Sequence, residues 1–535
     1  MTTENNKMSH KAPDFQATAL EAIPKIASLA RGQFRTHKTK NLEWRKTQLR
    51  KLYWALEDFK PQLVEALKSD LGKSSFEALL TEVDWVKKDC IWMLDHLDSF
   101  AKDQKLGSPD VPATYSIMNF RVKKDPLGTV LIIGPYNYPV QLLLCPLVGA
   151  IAAGCTAVLK PSELTPACAM WTKELIEKRL DSGSFSVVNG GIPETNALMA
   201  EKWDKIFFTG SAQVGSIIAQ KAAETLTPVV LELGGKNPAF ITKNCGNLAL
   251  AARRLLWGKT QNAGQVCMSQ NYVLIDKDLV PSFIEFLKVA YKDMFPNGAK
   301  ASPDLSRIVN KRHFHRIKKM LDDTQGKIVM GGEMDEGELY IEPTAVLVNS
   351  VNDSMMEEES FGPVFSIYPV NTLDEALNIA NLIHKTPLSL FAFGNKAENK
   401  RILNEMTSGG ATINDGFFHG AVNTVPFGGV GDSGWGAYRG KASFDSFTHF
   451  RTIAETPGWA EKLIRVRYMP YDFRALAFLN RLTEKKPNFD RSGRVVKGFG
   501  YWIKMLFGLG GKSAKGALLR WLVVLVAHYM YTNRS

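Results

Sequence analysis

The chain has 535 residues, which is long enough for two or three domains around a large buried core. Its 45% hydrophobic and 22% charged residues are typical of a globular protein and exclude an extensively disordered chain. The six cysteines contain no CxxC pair, so we predict a reducing compartment, no disulfide framework and no metal site. The polar N-terminus lacks the apolar core of a secretory signal.

Regular patterns occur between residue 41 and residue 455. Residues 41–70 have apolar positions three and four apart, which predicts amphipathic helices. From residue 127 apolar strand patterns alternate with helical ones, which predicts a parallel sheet that binds ligands at the carboxyl ends of its strands. The predicted strands are LGTVLIIG (127–134), TAVLKPSE (156–163), SFSVVNGG (184–191), KIFFTG (205–210) and PVVLELGG (228–235). A second set of strands and helices follows from 236 to about 420. Residues 106–126 and 425–455 are short, strand-like and rich in turns, which predicts two arms.

The C-terminal end is basic and apolar. The formal net charge of +12 is unevenly placed, and residues 491–535 contain eight Lys and Arg and no acidic residue. Two apolar blocks lie within it, at 499–510 and 517–531, and together they favour a membrane over a nucleic acid as partner. The second block is shorter than the about 20 residues that span a bilayer. A short anchor, an interfacial helix and a helix folded back on the protein all stay open.

Residues at the strand ends are candidates for chemistry. The glycines of FFTGSAQVG, Gly210 and Gly215, permit a phosphate at a helix N-terminus, although a simple tight turn explains the same spacing. Lys160 and Glu163 follow a strand, where they could hold a ribose or form a surface pair. Glu232 ends an apolar strand, so desolvation should raise its pKa toward that of a general base, unless it only caps the turn.

Two further candidates lie in loops. Asn137 lies between prolines in PYNYP, where its fixed amide could donate to an oxyanion or only serve the turn. Cys267 lies in QNAGQVCMSQ, and from these residues alone a packing role is a better interpretation than a nucleophile. The other five cysteines are predicted to pack.

Seven motifs follow one another along the chain: PYNYP, AAGCTAVLKPSELTP, FFTGSAQVG, TPVVLELGGKNP, NAGQVC, EEESFGPV and PFGGVGDSGWGAYRGKASFDSFTHFRT. Together they resemble the aldehyde dehydrogenase superfamily, and within it the class 3 branch that includes the fatty aldehyde dehydrogenases. The resemblance covers residues 40 to about 470. It implies an α/β fold with a Rossmann-type cofactor domain (1–105 and 127–235) and an α/β catalytic domain (236–424). It also implies a small β oligomerisation arm (106–126 and 425–455) that makes a homodimer, followed by a C-terminal extension (456–535).

The resemblance also assigns roles. It implies that Cys267 is the nucleophile, that Asn137 holds the oxyanion and that Glu232 activates water. Its cofactor residues are Gly210, Ser211 and Gly215 for the pyrophosphate, Lys160 and Glu163 for the adenosine ribose, Glu359 for the nicotinamide ribose, and Phe361 beside it. Because Glu163 would repel a 2′-phosphate, NAD is favoured, with NADP as the alternative.

The expected function is oxidation of medium- to long-chain aliphatic aldehydes to acids by NAD or NADP. The expected location is the cytosolic face of a membrane, such as the endoplasmic reticulum, the mitochondrial outer membrane or a lipid droplet. Three alternatives are a preference for aromatic aldehydes, acyl transfer to coenzyme A, and a silent cofactor-binding scaffold. The family commonly has Trp at Tyr136, and Ser or Thr at Ala263 and Val266, so these positions bear on substrate preference.

Overall fold

The computed structural model describes residues 12–107, 110–483, 487–496, 498, 521–522, 524–526 and 529. The chain forms two compact units. The first contains Met1–Gln104 and Val122–Arg451, and the second contains Lys105–Arg121 and Thr452–Ser535. All the candidate catalytic and cofactor residues named above belong to the first unit.

Helices dominate the N-terminal part of the first unit. They are α1 (Ile23–Arg35), α2 (Leu42–Asp58), α3 (Lys60–Leu71), α4 (Ser75–Ala78) and α5 (Asp84–Ala101), with a π-helical turn at Leu79–Val83 between the last two. The amphipathic pattern of residues 41–70 is therefore confirmed by α2 and α3. Asn41 caps α2 by accepting a hydrogen bond from the Trp44 amide, and Gly72 ends α3 at a φ of 62°. Two short strands follow, β1 (Gln104–Lys105) and β2 (Arg121–Pro126).

The predicted parallel sheet is present and carries the cofactor-side residues. Its strands are β3 (Thr129–Ile133), β4 (Thr156–Lys160), β5 (Phe185–Val187), β6 (Lys205–Thr209) and β7 (Val229–Glu232). The helices between them are α6 (Gln141–Ala153), α7 (Pro166–Arg179), α8 (Ile192–Met199) and α9 (Ala212–Glu224). The spatial order of the parallel strands is β7-β6-β3-β4-β5. All five predicted strands and the intervening helices are thus confirmed.

Both faces of this sheet are covered, which explains its uninterrupted apolar strands. Successive side chains of a strand point to opposite faces. Val130 and Ile132 accordingly pack in the core formed with α2, α5 and α6, whereas Leu131 and Ile133 pack in the core formed with α1 and α9. Every residue of α6 is buried, because that helix is enclosed on all sides.

A second α/β sheet follows, as predicted. Its strands are β8 (Asn237–Ile241), β9 (Gln270–Asp276), β10 (Lys327–Met330), β13 (Thr344–Leu347), β14 (Val364–Val370), β15 (Ser389–Phe393) and β16 (Gly410–Ile413), and a separate hairpin contains β11 (Met334–Asp335) and β12 (Tyr340–Ile341). The order is β10-β13-β14-β9-β8-β15-β16, parallel except between β10 and β13. Its helices are α10 (Leu248–Thr260), α11 (Val280–Met294), α12 (Lys311–Asp323), α13 (Ser354–Glu357), α14 (Leu373–Ile383) and α15 (Lys396–Glu405).

The segment 425–455 takes part in two sheets. Its strand β17 (Gly434–Trp435) pairs antiparallel with β7, so it forms the sixth strand of the cofactor-side sheet. After α16 (Lys441–Ser446), strand β18 (Thr448–Ile453) lies in a three-stranded sheet with β2 and β1. The oligomerisation role of these residues, the predicted domain boundaries and the homodimer stay predictions.

The second unit contains the helices α17 (Glu461–Ile464) and α18 (Phe473–Thr483). In the part of the chain that the structure describes, no helix combines the length and the apolar character needed to cross a bilayer. The apolar block at 499–510, and all but six residues of the block at 517–531, lie outside the described residues.

Candidate active site

The strand ends of the first sheet bring the predicted site residues to one edge. Ile133 of β3 is paired with Lys160 of β4, and the Gly134 amide donates to the Lys160 carbonyl over 3.0 Å. On the other side of β3, Thr209 of β6 is paired with Glu232 of β7. Because these strands are parallel, the turns that follow them leave from the same edge. Those turns carry Asn137, Glu163, Gly210 and Gly234.

Cys267 follows a tightly constrained turn. After α10 the chain forms a 3-10 turn in which Asn262, Ala263 and Gly264 have φ values of 47°, 51° and 72°. A Cβ at Gly264 would lie 2.0 Å from the Gly362 carbonyl oxygen, so only glycine fits. On the other side, the side-chain Nδ2 of Asn237 donates to the Cys267 backbone carbonyl over 2.7 Å. These contacts fix the backbone on both sides of the thiol.

Cys267 and Cys245 differ from the other four cysteines in their exposure. Cys90, Cys145, Cys155 and Cys168 are buried, which confirms the packing role predicted for them, while Cys245 and Cys267 are partly exposed. Burial of its sulfur by the surrounding protein raises the pKa of the Cys267 thiol to about 12, and the Glu359 and Glu232 carboxylates add to this rise. The thiol must therefore lose its proton before its sulfur can act as a nucleophile.

The Asn137 side chain is anchored beside the Cys267 turn. Its Nδ2 donates to the Gln265 backbone carbonyl over 3.0 Å, and the backbone carbonyl of Asn137 accepts a hydrogen bond from Asn262 Nδ2 over 2.8 Å. A carboxamide has two N–H groups, so one remains to donate to a bound oxyanion. The geometry brings the predicted donor and the loop of the predicted nucleophile together.

Glu232 is a carboxyl group without a hydrogen-bond partner. It is only 3% exposed, and among the described residues neither of its oxygens accepts a hydrogen bond. Burial raises the pKa of Glu232 well above its ordinary value, while the Arg439 guanidinium opposes the rise. The pKa shift expected from the sequence is confirmed. A buried, unpaired carboxyl is poised to exchange a proton with a bound water.

The residues assigned to the cofactor form a cradle that suits a dinucleotide. Lys160 Nζ and the Glu163 carboxylate are 2.8 Å apart at the end of β4. Ser211 caps α9, where helix amides favour an anion. Cβ atoms at Gly210 and Gly215 would lie 2.5 Å from the Phe208 ring and 2.6 Å from Leu233 Cδ2, so larger side chains would fill this space.

A second carboxylate closes the cradle at the other end. A Cβ at Gly234 would lie 2.3 Å from Glu359 Oε2, which places that carboxylate against the turn after β7. Burial raises the pKa of Glu359 to about 7, with the Lys259 ammonium opposing. The following aromatic ring, Phe361, has its edge against Tyr136, with ring centroids 5.9 Å apart. Strands β4 and β7 are three strand spacings apart, about 14 Å, which suits an extended dinucleotide better than a mononucleotide.

Arg439 is a residue of this site that was not predicted from the sequence. This side chain is buried, lies over the ring of Phe427 at 4.3 Å and that of Trp85 at 5.1 Å, and donates to the Gly420 carbonyl. Gly420 in turn lies against Met268, the residue after Cys267. The available signal was one cation among the aromatic and glycine residues of FGGVGDSGWGAYRG, because a buried cation in such surroundings needs a partner.

Known proteins resemble this chain over most of its length. A sequence model of the aldehyde dehydrogenase family matches residues 3–453. The chain is 72% identical over 517 residues to the beta-apo-4'-carotenal oxygenase of Neurospora crassa, which covers 96% of each chain. It is 42% identical over 417 residues to the 4,4'-diaponeurosporen-aldehyde dehydrogenase of Staphylococcus aureus (78% of this chain, 90% of the relative). Its identity to aldehyde dehydrogenase family 3 member B1 of Mus musculus is 41% over 451 residues (84% and 95%).

Solved structures share the architecture. AldH of Staphylococcus aureus, in a substrate-bound state, superposes with a TM-score of 0.82 at 38% identity and covers 87% of this chain and 99% of its own. An NAD-dependent aldehyde dehydrogenase from Sinorhizobium meliloti gives a TM-score of 0.75 at 26% identity, covering 84% and 91%. The fold implied by the seven motifs is confirmed.

Proposed function

The chain belongs to the aldehyde dehydrogenase family, in its class 3 branch, and on that premise we propose that it oxidises long apolar aldehydes, with apocarotenals as its preferred substrates. Members of this family use NAD or NADP. The observation that carries the proposal is the 72% identity, over almost the whole chain, to a relative named for beta-apo-4'-carotenal. The relative named for the aldehyde of 4,4'-diaponeurosporene supports the same substrate class.

An aromatic turn beside the nucleophile supports an apolar substrate. Phe417 packs on Trp257, with ring centroids 5.8 Å apart, whereas the neighbouring Phe418 is 54% exposed. Gly420 ends this turn and lies against Met268. The exposed ring of Phe418 therefore belongs to a turn that contacts Met268, the residue after Cys267. This ring gives a long hydrocarbon an apolar surface to bind.

Long-chain fatty aldehydes are the second candidate. The apolar blocks at 499–510 and 517–531, with their basic neighbours, favour a membrane surface, where aldehydes with long saturated chains collect. Aldehydes of both kinds present a carbonyl at the end of an extended hydrocarbon, so one site can accept both. They differ in stiffness, because a polyene is rigid and a saturated chain is not.

The proposed acylation half of the reaction uses two residues of this chain. Cys267 loses its thiol proton to water, and its sulfur then bonds to the aldehyde carbon. The carbonyl oxygen becomes an oxyanion that accepts a hydrogen bond from the free N–H of the Asn137 amide. Bound NAD or NADP supplies the acceptor for the hydride that leaves this carbon. Cys267 is then linked to the acyl group as a thioester.

The hydrolysis half depends on Glu232. Its carboxylate takes a proton from water as the water oxygen bonds to the thioester carbon. The bond between the Cys267 sulfur and that carbon breaks, the carboxylic acid is released, and the sulfur takes the proton from Glu232 to regenerate the thiol. A carboxylate with a raised pKa takes a proton from water more readily than an ordinary one, and this favours hydrolysis over the transfer of the acyl group to coenzyme A.

The substrate proposal is tested by following NADH or NADPH formation with a series of aldehydes. The series contains a β-apocarotenal, saturated aldehydes of 6 to 16 carbons, and benzaldehyde. Each buried methylene contributes about 0.8 kcal/mol, so kcat/KM should rise up to about fourfold per added carbon until the site is filled. We expect the apocarotenal to exceed hexanal by about 100-fold or more. A preference for benzaldehyde or hexanal would contradict the proposal.

We also propose that the C-terminal extension holds the enzyme on a membrane surface. The full chain should co-sediment with vesicles that contain anionic lipid, and a chain ending at residue 485 should stay in the supernatant. Raising the salt concentration should weaken binding, because screening reduces the attraction between basic side chains and anionic headgroups. Vesicles of purely zwitterionic lipid serve as the control. Equal sedimentation of the full and shortened chains would refute this role.

A further inference from the structure

Three charged side chains are buried behind the loops of Asn137 and Cys267. Lys73, just after the end of α3, and Glu82, in the π-helical turn, are both 0% exposed, and Lys73 Nζ lies 2.7 Å from Glu82 Oε1. Glu77 of α4 is buried beside them. Among the described residues, these side chains form a cluster of one cation and two carboxyl groups. Burial raises the pKa of both carboxyls, and the Lys73 ammonium opposes the rise.

Two members of this cluster contact the Asn137 loop directly. Lys73 Nζ donates to the Asn137 carbonyl over 3.2 Å and lies 4.1 Å from the centre of the Tyr138 ring. Glu82 Oε2 accepts hydrogen bonds from the amides of Val140 and Gln141, over 3.0 and 2.9 Å, at the start of α6. The ion pair therefore fixes the backbone of the loop at its centre and at its end.

Glu77 connects the cluster to the Cys267 loop. Its Oε1 accepts a hydrogen bond from the Asn262 amide over 2.7 Å, which supports the left-handed backbone of that residue. The Asn262 side chain donates to the Asn137 carbonyl over 2.8 Å and to the Gln265 carbonyl over 3.1 Å. The Asn137 carbonyl is thus a common acceptor for Lys73 and Asn262. Both catalytic loops are tied to the same buried group of charges.

Stability alone is a weak reason for such a cluster. Two charges lose their hydration on burial, and replacing a buried ion pair by apolar residues of the same size is often neutral or stabilising. The contacts of the cluster indicate a role in positioning the loops. The three side chains form five hydrogen bonds. One joins Lys73 to Glu82, and the other four are made with backbone groups of residues 137, 140, 141 and 262.

We propose that Lys73 and Glu82 are positioning residues that act through Asn137, by orienting its amide toward the oxyanion that forms at Cys267. This inference rests on the roles proposed above for Asn137 and Cys267. Neither Lys73 nor Glu82 touches the substrate. Their effect is confined to reactions in which an oxyanion forms, because the amide they orient has no other charge to stabilise.

The test removes the ion pair as a unit, with the double substitution Lys73→Met and Glu82→Gln, so that neither of its two members is left buried without the other. It is made in the native chain and in an Asn137→Ala chain. The assay is the burst of 4-nitrophenolate from 4-nitrophenyl acetate, which needs neither cofactor nor aldehyde. The Cys267 sulfur bonds to the acetyl carbon through an oxyanion, 4-nitrophenolate leaves, and water then releases acetate from the thioester.

We expect the double substitution to slow the burst about 10- to 100-fold in the native chain and less than about threefold in the Asn137→Ala chain. Alkylation of Cys267 by iodoacetamide forms no oxyanion, so its rate should change less than about threefold. The surface pair Lys178 and Glu174 of α7, joined over 2.6 Å, is the matched control. Substituting it in the same way, Lys178→Met with Glu174→Gln, should leave the burst unchanged.

Equal losses in the two chains, or an unchanged burst in the native chain, would overturn the proposal. A second variant, Lys73→Arg, is used if the double variant does not fold. It keeps the positive charge but changes the positions of the N–H donors. It should slow the burst only where Asn137 is present, and an equal slowing in the Asn137→Ala chain would also overturn the proposal. A burst that depends on Asn137 and Lys73, in a protein that oxidises no aldehyde, would refute the proposed substrate and leave the positioning role intact.

Discussion

Cys267→Ala should lower kcat by about 10⁴-fold or more with every aldehyde that the native chain oxidises. The hydride can leave the aldehyde carbon only after the carbon has bonded to sulfur and become tetrahedral, and alanine cannot form that bond. A partial loss is therefore not expected. The measurement is NADH or NADPH formation at saturating aldehyde and cofactor, with a thermal unfolding curve to verify that the variant is folded.

Cys245→Ala is the matched control, because Cys245 is the other cysteine that is partly exposed. It follows β8 and has no contact with the Asn137 or Glu232 turns among the hydrogen bonds of the described residues. Its kcat should stay within about twofold of the native value. If Cys267→Ala retained turnover, or if Cys245→Ala abolished it, the nucleophile would be assigned wrongly. A folded native chain that is inactive with every aldehyde would instead favour the silent scaffold.

The fold was predictable because its signals are local. The strands from residue 127 to residue 232 are short apolar runs that end in glycine or a polar residue, and helical patterns separate them. In a parallel sheet the carboxyl ends of the strands meet at one edge, so Asn137, Lys160 and Glu232 could be expected to converge without any knowledge of their contacts.

The buried charges could not be predicted in the same way. Glu77 contacts an amide 185 residues away, and Glu82 contacts the start of a helix 58 residues away. Helical periodicity predicts the burial of a residue from the apolar residues near it in the sequence. By that criterion the acidic residues Glu77 and Glu82 would be assigned to the solvent-facing side of their helices. The pairing of β17 with the cofactor-side sheet could not be predicted for a related reason. The strand has two residues, and its partner β7 lies about 200 residues earlier in the chain.

Glu232→Gln should separate the two halves of the reaction. We expect a burst of about one NADH or NADPH per active site, followed by turnover about 10²- to 10⁴-fold slower than in the native chain. Acylation does not need this carboxyl, and the burst should be as fast as in the native chain or faster. The Glu232 charge raises the pKa of the Cys267 thiol, so its removal makes the thiolate easier to form. Intact-mass measurement should then find the acyl group on Cys267.

The pH dependence of this variant identifies the base. Burial raises the Glu232 pKa, so the carboxyl is neutral below that pKa and accepts no proton from water. Native thioester hydrolysis should therefore accelerate as the pH rises through the raised pKa, and Glu232→Gln should lose this rise. Asp89 is the decisive control, because burial also raises its pKa, to about 7, and the same Arg439 guanidinium opposes the rise. Asp89→Asn should keep the rise. If the rise in hydrolysis rate with pH were lost in Asp89→Asn and retained in Glu232→Gln, the titrating group would be Asp89. Glu232 would then not be the base that activates water for thioester hydrolysis.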